Sequence, residues 1–221
     1  MIVAVLNQIK GMAEPRKNIK KQIQETTFQK IEKLHPHKLF LYLAILGSSL
    51  IFIFMLTAYT TSKPDASHFQ NFTFPKAFIV STFILMLSSF TISKVLQLYK
   101  DDNLNQLRNY LGLTFLLGLG FTLSQYLGWK QLDNAGIYFT GDASGAYLYV
   151  ISGLHLVHLM AGLIFIGFIF FQSIQTCKDP IKSLLMITNP YDKLKLEMLT
   201  TYWHYMDFLW VILFFYFLFT F

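Results

Sequence analysis

The chain has 221 residues, of which 54% are apolar and only 14% charged, with 23 Phe and a formal charge of +6. So few charges cannot clothe a soluble surface of that size, which places the chain among polytopic membrane proteins. The positive residues are parcelled out between apolar runs, not gathered in a nucleic-acid patch, and the single Cys177 excludes an internal disulfide and a Cys-rich metal site.

Residues 1–37 are polar and basic after a short apolar start, and residues 1–15 lack the pattern of a secretory signal. Over 16–34, Ile19, Ile23, Thr27, Ile31 and Leu34 recur near helical spacing among lysines. That pattern suits either an amphipathic helix on an anionic leaflet or a solvated basic tail. Five apolar segments follow, at 38–59, 77–99, 107–128, 146–173 and 199–221. Each is near the ~20 residues that cross about 30 Å of hydrocarbon. The expectation is an all-α bundle of five transmembrane helices over 38–221, preceded by a basic segment over 1–37. Linkers at 60–76, 100–106, 129–145 and 174–198 carry the prolines, glycines and acidic residues of turns, and the last has room for a short surface helix.

Lys and Arg set the orientation. Eight lie at or before Lys38, three in the second–third link with Lys94 and Arg108, and four in 174–198, so fifteen fall on one side. Only Lys63, Lys76 and Lys130 fall on the other. Positive-inside bias puts the amino terminus in the cytoplasm and the carboxyl terminus in the periplasm. Lys94 and Arg108, at inner-leaflet depth, snorkel toward headgroups and are candidate phospholipid contacts. Small residues recur within the spans, among them Ser89, Ser93, Gly112, Gly118, Gly153 and Gly162, where helices can approach closely.

Ionisable residues inside spans are costly and need protein around them. His155 and His158 stand at i, i+3 on the fourth span, while the last carries Trp203, His204, Asp207 and Trp210. Trp203, Asp207 and Trp210 share a face, with His204 beside Asp207. Two readings stay open. One is haem or metal ligation by imidazole. The other is a hydrogen-bonded packing cluster that joins the fourth and fifth spans through His204 or Asp207. The second is favoured, because the spans carry only three His and two neighbours on one face cannot ligate opposite sides of one haem. Counted by rise, His158 and Asp207 differ in depth, so contact needs tilt or a fifth span that begins before residue 199. Gln125 either bonds across helices or reaches the interface. No nucleophile–base set, phosphate loop or paired carboxylate is present, so no catalytic residue is assigned.

Three motifs carry a resemblance. Tyr202-Trp203-His204 with Asp207 and Trp210 resembles the YWHF-x-D-x-x-W signature that closes subunit III of the haem–copper terminal oxidases. Gly153-Leu154-His155-Leu156-Val157-His158 with Gly162 resembles that family's GFHGLHVxxG segment. Residues 116–125 resemble its LLGLxFTxxQ segment, and the likeness runs from about residue 38 to the end. The resemblance implies a non-catalytic subunit of a respiratory cytochrome c oxidase in a bacterial inner membrane. Such a subunit packs on subunit I, which with its partners holds the haem and copper; it binds phospholipid and sustains proton uptake, with no cofactor of its own. Five spans match the family's short form, which lacks the first two helices. Family members often carry Glu at the positions of Ser48 and Gly128, so roles of those carboxylates do not transfer. Rival readings are a haem-b membrane anchor of a dehydrogenase or reductase, a quinol-oxidase version of subunit III, and a small transporter built around Asp207.

Overall fold

A computed structural model describes residues 36–61, 75–140 and 143–220. Among them are six helices and no strands: α1 Pro36–Thr61, α2 Lys76–Lys100, α3 Leu104–Asn134, α4 Ala143–Thr176, α5 Pro180–Thr188 and α6 Pro190–Thr220. All but α5 are long and apolar enough to cross a membrane, which makes this a multi-pass membrane protein. The basic segment over 1–35 and its amphipathic pattern lie outside the described residues. Residues 45–221 form one compact unit, and residues 36–44 open the first helix.

The helix ends follow local chemistry. The α2–α3 connection is only three residues long. Asp102 takes a left-handed conformation (φ 54). The Asp102 N–H then reaches Tyr99 O at 3.3 Å and Asn103 N–H reaches Leu98 O at 3.0 Å, a Schellman closure of α2. Asn103 next caps α3, its Oδ1 accepting from Gln106 N–H at 3.2 Å. The short surface helix expected within 174–198 is α5, capped by Asp179 Oδ1, which accepts from Ile181 N–H at 3.0 Å. Tyr99 O–H binds Met186 O at 2.8 Å and so ties the end of α5 to α2.

Two boundaries depart most from expectation: α3 continues to Asn134, six residues past 128, and the last helix starts early. The last helix begins at Pro190, nine residues before the apolar run at 199. Pro suits the first helical turn, and Lys195 Nζ pairs with Asp192 Oδ1 at 3.0 Å one turn along. The polar turns of α6 are therefore helix, although hydropathy alone reads them as linker.

Packing turns the usual polarity of a soluble protein around. The inward face of α2 carries Ser81, Thr82, Ser88 and Thr91 beside Phe78, Leu85, Ile92 and Val95. Its outward face carries Val80, Phe83, Met86, Leu87 and Phe90. Lipid is as apolar as Leu, so helices gain most by turning hydroxyls and small residues inward.

Candidate functional site

The three motifs meet around one ring. Trp203 of α6 is fully buried, and its indole lies over two glycines. A Cβ on Gly118 of α3 would come 3.1 Å from Trp203 Cη2, and one on Gly162 of α4 would come 3.4 Å from its Cε3. Only residues without a side chain leave that slot. The Trp203 N–H donates to Ser88 Oγ of α2 at 3.1 Å, so four helices share one indole.

Two turns further on, Trp210 N–H donates to Thr82 Oγ1 at 3.1 Å. His204 Nδ1 lies 2.8 Å from Ser89 Oγ. Ser88 and Thr82 also donate back to their own helix, at Leu85 O (2.7 Å) and Phe78 O (2.8 Å). The indoles thus supply donors that these two hydroxyls accept, while the hydroxyls' own hydrogens go to their helix. Two further bonds join α2 to α3: Gln125 Nε2 donates to Ser81 Oγ at 2.9 Å, and Thr91 and Thr114 hydroxyls meet at 2.7 Å. Gln125 bonds across helices; it does not reach the interface.

Trp203, His204 and Trp210 of the fifth span hydrogen-bond to the second span, where the sequence pointed to the fourth. His155 and His158 do not form one pair. Three residues fall about 60° short of a full turn, and each ring finds its own surroundings. His155 is fully buried, its ring 5.0 Å from that of Trp210 and 5.8 Å from Phe121. Neither of its nitrogens has a hydrogen-bond partner among the described residues. His158 Nδ1 lies 2.8 Å from Leu154 O of its own helix, and its ring meets Phe52 of α1 edge-on at 5.7 Å. The α4–α6 hydrogen bond is made instead by Tyr202 O–H to His158 O at 2.8 Å. His155 still reaches α6, through ring contact with Trp210.

Asp207 is 6% exposed. Both of its carboxylate oxygens are covered, and the Ser89 side chain is the hydrogen-bonding group beside them. Lys94 lies over the Phe90 ring of its own helix, 5.6 Å from the centroid. Arg108 Nη2 donates to Asn109 Oδ1 at 3.3 Å, at the edge of an open apolar groove of about 740 Å³. At the two positions where the family often has Glu, Ser48 is buried, and a Cβ on Gly128 would lie 2.6 Å from Phe78 Cε1. Phe78 therefore fills the space a longer residue at 128 would need.

The acceptor hydroxyls of α2 were the part that motif reading missed. Their signal is compositional: six Ser or Thr, at 81, 82, 88, 89, 91 and 93, in an otherwise apolar span. Chemically the arrangement fixes helix rotation. Among the described residues, no group of three or more His, Cys, Asp or Glu is placed to hold a metal.

No protein-family model matches the chain. Curated relatives do. Cytochrome bo(3) ubiquinol oxidase subunit 3 of Buchnera aphidicola subsp. Baizongia pistaciae is 29% identical over 180 residues, 78% of this chain and 86% of the relative. The chain is a homologue of oxidase subunit 3. Cytochrome c oxidase subunit 3 of Bacillus subtilis is 27% identical over 136 residues, 61% of each chain. Probable cytochrome c oxidase subunit 3 of Mycobacterium bovis is 29% identical over 133 residues, 60% of this chain. The match spans 61% of that mycobacterial relative's length. Oxidase subunit 3 homologues of both the quinol and the cytochrome c type are thus similar to this chain.

Proposed function

We propose that this subunit 3 homologue is the non-catalytic membrane subunit of a respiratory haem–copper oxidase. It packs against the haem- and copper-bearing subunit I and other oxidase subunits in a bacterial inner membrane, with its amino terminus in the cytoplasm. Its work is mechanical: the ring-and-hydroxyl seam holds four helices in fixed rotation and presents a set outer surface to subunit I and to phospholipid, with Lys94 and Arg108 at headgroup level. His155, His158, Trp203, His204, Asp207 and Trp210 serve as packing residues in this reading, not as ligands.

One observation carries the proposal: the three subunit III motifs, far apart in sequence, converge on the Trp203 ring and its two facing glycines. The support over a haem-b anchor is that Trp210 and Phe121 already lie against His155. A haem on that nitrogen would have to displace them. Purification through a tag on this chain tests the proposal. A haem–copper subunit I should co-purify with its haem spectrum, and a preparation without any haem–copper subunit would refute the assignment. Cytochrome c and quinol oxidation by the same preparation then identify the electron donor, since relatives of both types are similar to the chain.

A further inference from the structure

We infer that the groove between α3 and α4 seats one phospholipid, with its phosphate on Arg108 and an acyl chain laid along an aromatic floor. The inference rests on the function proposed above, which sets Arg108 at headgroup level. It adds the seat, the order of head and tail, and a held molecule in place of bulk lipid. The groove has a volume of about 740 Å³ and is lined by Arg108, Gly112, Phe115, Leu116, Phe170 and Ile174 among others. A reciprocal contact makes its floor. A Cβ on Gly112 of α3 would lie 2.8 Å from Phe170 Cε2 of α4, and one on Gly167 of α4 would lie 3.4 Å from Phe115 Cε2 of α3. Each ring lies across the other helix's glycine, so the two rings pave a trough instead of standing as a ridge.

The polarity of the lining selects the occupant. Arg108 and Asn109 stand at one end, and only apolar residues and Gly112 line the rest. Leu116 is eight residues past Arg108, about 12 Å along the helix, so the groove runs from the headgroups well down into one leaflet. The guanidinium is not neutralised within the chain. Its Nη2 donates to the uncharged Asn109 Oδ1, and no carboxylate pairs with it among the described residues. A phosphate diester is the anion that a bilayer supplies at that level, and the planar fork of Arg takes it through two parallel hydrogen bonds. A transmembrane helix matches the groove less well. It finds no polar group below the mouth, and the glycine notches where its backbone would come close are already filled by the two rings.

The test is photolabelling of the intact oxidase by phosphatidylglycerol that carries a diazirine in one acyl chain. The complex is solubilised in dodecyl maltoside with an excess of this probe over endogenous phospholipid, washed of loosely held lipid and irradiated. Detergent then replaces bulk lipid, and only a held molecule keeps its place. Leu46 of α1 is the control, since it is 61% exposed against 64% for Leu116 and lies about as far along its helix. Adducts at Leu113 and Leu116 should exceed those at Leu46 at least about tenfold. Arg108→Gln should remove most of that excess, a drop of about tenfold or more for the loss of a charged hydrogen-bond donor. Arg108→Lys keeps the cation without the fork and should retain part of it. Leu116→Trp fills the groove from an exposed position and should lower the adduct at Leu113 as far as Arg108→Gln does. Equal labelling of Leu113, Leu116 and Leu46 means bulk lipid only and overturns the seat. So does an unlabelled groove, or an excess that survives both Arg108→Gln and Leu116→Trp. The haem–copper subunit in the same preparation is read separately: its presence beside an even label overturns the seat alone, and its absence overturns the functional reading.

Discussion

The first and last helices are opposite solutions to life in a membrane. Of the five spans, α1 has the highest mean hydropathy and the least burial, with 11% of its most apolar stretch buried inside the chain. Leu46, Leu50, Ile53 and Phe54 all face outward. By contrast, α6 shares the lowest mean hydropathy and has 44% of its stretch buried. In water the more apolar helix would be the core; in lipid, hydropathy marks the surface, and the polar and aromatic helix makes the interior. Contacts of α1 within unit 45–221 include the Ser49 and Tyr205 hydroxyls, which meet at 3.0 Å, the edge-on rings of Phe52 and His158, and Tyr59 edge-on to Tyr147 and Tyr216.

Substitutions can break that contrast. Trp203→Ala should cost the most, about 3–5 kcal/mol by analogy with other buried aromatic truncations, measured by SDS titration of the protein in detergent. Gly118→Val comes next. Its Cβ would lie 2.6 Å from Leu163 Cδ2, and overpacking of this kind costs about 1–3 kcal/mol in the same assay. Trp210→Phe keeps most of the ring but removes the donor to Thr82, and a membrane hydrogen bond of this sort is worth about 0.6 kcal/mol, up to about 1.7. Phe54→Ala, on the outer face of α1, should change the unfolding free energy by less than about 0.5 kcal/mol. If Phe54→Ala proved as damaging as Trp203→Ala, the contrast between the two helices would be wrong.

The spans were legible because twenty apolar residues in a row leave a chain few alternatives. Their ends were less so. Hydropathy cannot see that Asp192 and Lys195 pair along a helix, so the apolar run at 199 marks the start of α6 nine residues late. Trp203, His204 and Trp210 read as a set in the sequence, but their hydrogen-bond partners lie on α2, and α4 meets the two indoles by ring and glycine contact instead. Spacing within one helix says which side chains share a face; it does not say which neighbour that face meets. The i, i+3 spacing of the two His suffered the same limit, since Trp210 and Phe121 claim one ring and Phe52 the other. Gly118 and Gly162 were legible as close-approach sites, though not as the two sides of a slot for one indole.

The three-residue turn at 101–103 leaves no slack between α2 and α3, because its amides are spent on closing one helix and its Asn side chain on starting the next. During synthesis the two helices therefore cannot settle into the bilayer at separate times or places. The expectation is that they enter the bilayer together, as the hairpin that Gln125 to Ser81 and Thr91 to Thr114 hold in the folded chain. An epitope inserted after Asp102 would then hinder membrane integration itself, before any question of assembly arises.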